Sequence, residues 1–139
     1  MGKYITDIEQ LYASLSGLFG SLDKYPELRE PVLNSGLVLE MVYTDPSGQI
    51  CVDTSKGKVD VYTGEWPADV EPQVKLMLTS DVAHQFWLGK INFMFAMAKG
   101  QIKTSGNMGA MLKLVPLLGP LFDAYKDYLR NNGMEDMIF

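Results

Sequence analysis

Apolar residues near the start of the chain recur at helical spacing: Ile8, Leu11, Tyr12, Leu15, Leu18, Phe19 and Leu22. Thr6 and Glu9, three positions apart at the head of this run, have the form of a capping box with Thr6 at the N-cap. Gly17 and Gly20 weaken the helix and let a neighbour approach closely. Pro26 suits the first turn of a second short helix, which Pro31 and Asn34-Ser-Gly36 close. The period then changes to two. Leu37–Thr44 reads as a strand with Leu37, Leu39, Met41 and Tyr43 on one face. Asp45-Pro-Ser-Gly48 has turn chemistry, Gln49–Thr54 forms a second strand, and Ser55-Lys-Gly57 connects tightly to a third, Lys58–Thr63. After a loop at Gly64–Asp69, Gln73–Thr79 is a fourth strand, with Val74, Leu76 and Leu78 facing one way.

The second half of the chain is richer in aromatic residues and methionine. Ser80 or Asp81 is expected to cap a short helix carrying Val82, Phe86 and Trp87, with Gly89 at its end. Asn92 is expected to cap another, Phe93–Ala98. Gln101–Ser105 alternates as a fifth strand. Gly106 then permits a backbone angle that other residues avoid, and Asn107 opens a helix with Met108, Met111 and Leu112 along one face. Pro116 interrupts the periodicity before a last helix holding Leu117, Leu118, Leu121, Phe122, Tyr125, Tyr128 and Leu129, stopped by Asn131-Asn-Gly133. The tail, Met134–Phe139, is apolar for a chain end and is expected to dock on the body or on a second chain. Five strands with helices segregated before and after them make an α+β protein, and 139 residues make one domain, 1–139.

Composition bounds the function. At 47% apolar and 21% charged residues the chain is an ordinary globular one. The net charge of −5 argues against nucleic acid as a partner. That charge is uneven: Val82–Phe122 holds Lys90, Lys99, Lys103 and Lys113 and no acid, so this segment is +4 and the remainder −9. The lysines are either a solvated rim or a surface for an anionic lipid head or membrane. Cys51, the one cysteine, suits a reducing compartment. The start has no apolar leader, and the longest run without a charge, Gln10–Leu22, is too short to span a bilayer. A cytoplasmic protein is expected.

No reactive constellation emerges. His84 has no second histidine to work with and reads as a residue on the polar face of a short helix. Cys51 lies between Ile50 and Val52, as packing. Metal-ligand spacings are missing, and Gly106-Asn-Met-Gly109 lacks the endings of phosphate and dinucleotide loops. The chain is therefore read as neither an enzyme nor a holder of a metal or cofactor. What stands out is apolar excess, either an ordinary core or the wall of a lipid cavity.

Gly100-Gln-Ile-Lys-Thr-Ser-Gly-Asn-Met-Gly-Ala-Met-Leu-Lys-Leu114 resembles the strand–turn–helix signature of the sterol carrier protein type 2 domain. The upstream order resembles it too, from Leu37 onward: the fourth strand, the Ser80-Asp81 helix start and the Leu88-Gly-Lys-Ile-Asn92 link. The resemblance implies a five-stranded mixed sheet with helices over one face and an apolar tunnel between the layers. It also implies non-enzymatic carriage of a fatty acid, fatty acyl-CoA or sterol-like ligand. The C-terminus is no peroxisomal address, which points to a bacterial or archaeal relative. The cavity wall would draw on Leu15, Phe19, Leu76, Leu78, Phe86, Trp87, Phe93, Met94, Met97, Ile102, Met108, Met111, Leu112, Leu118 and Phe122. Lys99, Lys103 and Lys113 would meet an anionic head group or touch a membrane surface. The alternative is an accessory module with a filled core and no lipid ligand, forming a homodimer.

Overall fold

The computed structural model describes residues 4–138. Its first helix begins at Ile8, where the Asp7 carboxylate accepts the Gln10 N–H at 2.8 Å. The Gln10 amide oxygen in turn accepts from the Thr6 N–H. The N-cap is thus Asp7, one residue later than Thr6 and Glu9 suggested, and Gln10 reaches back past it to Thr6. This helix is continuous in three parts: α1 (Ile8–Leu11), a π-helical turn (Tyr12–Ser16) and α2 (Gly17–Gly20). In the π turn the Ser14 and Ser16 hydroxyls donate to the carbonyls of Gln10 and Tyr12, one turn back. Helix α3 (Pro26–Ser35) starts on Pro26 and runs through Pro31 before Gly36 ends it in the left-handed conformation.

The sheet contains β1 (Val38–Thr44), β2 (Gly48–Asp53), β3 (Asp60–Thr63), β4 (Val74–Thr79) and β5 (Ile102–Gly106), in the order β3-β2-β1-β4-β5. All neighbours are antiparallel except β1 and β4, which run parallel at the centre. Period-two alternation puts Leu39, Met41 and Tyr43 of β1 beside Val74, Leu76 and Leu78 of β4, and all six are buried. Helices α4 (Ser80–Trp87), α5 (Phe93–Ala98), α6 (Met108–Leu112) and α7 (Leu118–Asn131) join the first helices over this face. On the opposite face a smaller cluster, Val38, Cys51 and Val70 with Tyr62 and Trp66, lies under the loop after β3. Burial pushes the Cys51 thiol up to about 12, so it is an inert packing group. The fold is the expected α+β one, with a mixed sheet covered by helices on one side.

Two contacts tie the last helix to the first. A Cβ on Gly17 would fall inside the Tyr128 ring, so only glycine lets α7 lie this close. The Tyr128 hydroxyl then donates to the Ala13 carbonyl at 2.6 Å. Gly20, by contrast, has open space where a Cβ would stand, and its role in close packing is not realised. The tail folds back on its own chain: Met134, Met137 and Ile138 pack against the main core, while Phe139 lies outside the described residues.

Gly106 is the tightest point of the backbone. It has φ +95°, and a Cβ there would stand 2.2 Å from the Gln73 carbonyl oxygen. Gly106→Ala should therefore cost about 2 kcal/mol or more, through both strain and displacement of main chain. Gly119→Ala, in open space at the start of α7, should stabilise by up to about 1 kcal/mol. Urea denaturation of the two variants checks this difference of sign.

Candidate functional site

Strand β5 ends on Gly106, and the Asn107 N–H donates to the Gln73 carbonyl at 2.8 Å. The Asn107 side chain then caps α6 by accepting the Ala110 N–H at 3.1 Å. This turn buries Met111, leaves Met108 half-buried and directs Leu112 outward. Asn92 caps α5 in the same way, through the Phe95 N–H. Thr79, not Ser80 or Asp81, caps α4, since its hydroxyl accepts the Val82 N–H.

Between these short helices lies an apolar groove of about 530 Å³, open to solvent. Phe86 of α4, Phe93 and Met94 of α5, Leu112 of α6, and Leu118 and Phe122 of α7 line it. Val115 and the link Gly89–Asn92 complete the lining. Its floor is an aromatic cluster. Phe86 meets Trp87, Phe122 and Phe93 at ring-centre distances of 4.9, 5.5 and 5.8 Å, the first two edge to face. Trp87 in turn packs edge to face on Phe19 at 5.6 Å. Lys90 is the one charged side chain among the groove's lining residues.

The expected wall residues divide into three groups. Phe86, Phe93, Met94, Leu112, Leu118 and Phe122 come together around the groove. Leu15, Phe19, Leu76, Leu78, Trp87, Ile102 and Met111 are buried in the core below it. Met97 and Met108 are half-buried against that core. Between the first helices and the sheet, a gap bordered by Phe19, Leu39, Val52 and Leu114 measures about 10 Å³, room for barely one water. Among the described residues the space beside the signature helix is an open groove, and the tunnel expected between the layers is not shown. Lys99, Lys103 and Lys113 are exposed and none lines the groove. The reading of the sequence missed Lys90, Ile91 and Val115 as lining; the acid-free stretch around Lys90 was the signal that held it.

A second groove of about 370 Å³, under Tyr25, Leu117 and Pro120, carries the carboxylates Glu27, Asp123 and Asp127. These would repel an anionic head. No group of three or more metal-ligating side chains occurs among the described residues. No helix there is long and apolar enough to cross a membrane.

His84 corrects the reading of the sequence. It is fully buried rather than on a wet helix face. Its Nε2 lies 2.8 Å from the Met137 carbonyl and its Nδ1 2.8 Å from the Tyr125 hydroxyl. A carbonyl only accepts, so Nε2 carries the hydrogen and the neutral ring's Nδ1 accepts from Tyr125. The histidine therefore pins the tail and α7 to α4. Burial holds its pKa below the ordinary 6.5, against the opposing pull of the Met137 carbonyl and Asp81. A depressed folded value means that the contribution to stability is complete above about pH 6.5 and is lost as the pH falls through that value. The melting temperature should fall as the pH is lowered below about 6.5, and His84→Gln should flatten that dependence. The same variant should cost about 1–3 kcal/mol above that pH, read by thermal denaturation on both sides of it.

The mixed sheet with a helix-lined apolar groove places the chain among small α+β proteins of the sterol-carrier fold. Solved structures agree. Sterol carrier protein domain 2 of Helicoverpa armigera matches with TM-score 0.62 and 20% identity, covering 76% of this chain and 83% of that one. The apo form of sterol carrier protein 2 from Yarrowia lipolytica matches with TM-score 0.62 and 18% identity, over 90% and 96% of the two chains. A protein from Thermus thermophilus matches with TM-score 0.63 and 12% identity, over 91% of each chain. A model of the SCP-2 sterol transfer family matches residues 19–119, and the chain belongs to that family. No curated protein sequence matches it.

Proposed function

We propose that the protein is a non-enzymatic carrier of a single-chain lipid, a fatty acid or its acyl-CoA ester, held in the groove of α4, α5 and α7. Membership of the sterol transfer family supports carriage of a lipid. The observation that carries the reading is the groove itself. Its volume of about 530 Å³ falls within the roughly 300–1,000 Å³ typical of small-molecule sites. The acyl chain lies on Phe86, Phe93 and Phe122, while Met94, Leu112 and Leu118 adapt around it. The anionic head meets Lys90 at the rim. One buried cysteine suits the reducing cytoplasm, where we place the carrier.

Burying one methylene gains about 0.8 kcal/mol, so about twelve gain about 10 kcal/mol if fully covered. Several kcal/mol are lost in ordering the ligand, which leaves roughly micromolar affinity, suited to release as well as capture. Pairing through the apolar tail is disfavoured, because Met134, Met137 and Ile138 already pack on their own core.

The test is titration with a fluorescent long-chain fatty acid. Saturable uptake at roughly micromolar concentration is expected. Leu118→Trp, which fills the groove from α7, should weaken it about tenfold or more with little change in melting temperature. Failure of the folded wild type to take up the probe would overturn the proposal.

A further inference from the structure

Resting on the carrier reading, we infer that the outer face of α5 docks on an anionic phospholipid bilayer, with the mouth of the groove turned towards the membrane. Phe93 and Ala96 of this helix are buried, whereas Met94 and Phe95 are 63% and 69% exposed. With Ala98 and Lys99 they form one continuous exposed stripe, since residues four apart share a helix face. The outward face is thus apolar with a lysine at its end, the reverse of what water favours. It continues directly into the groove, because Met94 lines that groove together with Leu112 and Val115, themselves 54% and 43% exposed. These are most of the large apolar side chains that the described residues leave exposed, and they gather at one corner.

Charge selects the occupant. From Val82 to Phe122 the chain has no acidic residue. Lys90, Lys99 and Lys113 are exposed around this corner and make no ion pair among the described residues. Apolar wedges rimmed by unpaired lysines match the boundary between acyl chains and anionic head groups. A second copy of the chain fits worse: a two-fold contact through this face would bring each lysine rim against its own copy. Docked this way, a ligand could pass between bilayer and groove without crossing water.

Flotation with phosphatidylcholine vesicles, with and without phosphatidylglycerol, tests the inference on the full chain. Binding to the anionic vesicles, reduced about tenfold by Phe95→Ser and by Lys99→Glu and kept by Lys99→Arg, is expected. Neither Phe95 nor Lys99 lines the groove, so both variants should keep uptake of the fluorescent fatty acid from solution while losing rapid transfer to anionic vesicles. Wild-type protein that takes up the fatty acid but does not float with anionic vesicles would overturn the docking and leave the carrier reading standing. Flotation without uptake would overturn the carrier reading instead. Equal binding to neutral vesicles, or concentration-dependent self-association abolished by Phe95→Ser, would also overturn the docking.

Discussion

The close approach of Gly106 to the Gln73 carbonyl is the constraint from which the ligand-facing half of the molecule follows. It lets the backbone leave β5 at the sheet's edge and turn at once into α6, with the Asn107 N–H bonded to the same carbonyl. Once α6 starts there, Met111 must enter the core and Leu112, one residue on, must face the other way. That outward turn brings Leu112 into the lining of the groove, together with Met94. A side chain at position 106 would shift the start of α6 and with it one wall of the site. The signature residues thus act through backbone geometry; they frame the groove more than they line it.

The fold was largely legible in the sequence because its strands alternate and its helices carry recognisable caps. Leu39, Met41 and Tyr43 share a face by the pleat alone, whatever the partner strand. Asn92 and Asn107 cap their helices through local hydrogen bonds that need no tertiary context. What period and propensity could not supply was long-range. Nothing in the alternation of β1 or β4 says that the two lie side by side in parallel; the family resemblance implied a mixed sheet without naming the pair. His84 was misread for a related reason: its partners, Tyr125 and the Met137 carbonyl, are distant in sequence. The candidate site was half legible. Core and groove walls draw on the same residues, so Trp87 and Met111 on the inside could not be told from Leu118 and Met94 on the rim.

The division between floor and rim makes physical sense for a carrier. The floor is a cluster of aromatic rings in edge-to-face contact, continuous with the core through Phe19 and Trp87. Such a cluster is stiff, and its packing does not depend on a guest. The rim is made of Met94, Leu112 and Leu118 on three separate helices, with methionine the most adaptable of the apolar side chains. A site built this way keeps its shape when empty and, on the proposed function, would tolerate acyl chains of differing length and bend.

An open groove also bears on exchange. In a closed tunnel a bound chain would gain close to its full transfer free energy, and release would need part of the core to open. In the carrier we propose, one side of a bound acyl chain would face outward, so a share of the roughly 10 kcal/mol available to about twelve methylenes would be left unclaimed in water. That share becomes available only where another apolar phase covers the mouth. The exposed Phe95 and Met94 stand at that mouth, and their cost in water is recovered under the same condition. On the proposed docking, affinity for the ligand and affinity for the surface it comes from would be strengthened by one event, the covering of the groove, and loading and unloading would proceed without unpacking the aromatic floor.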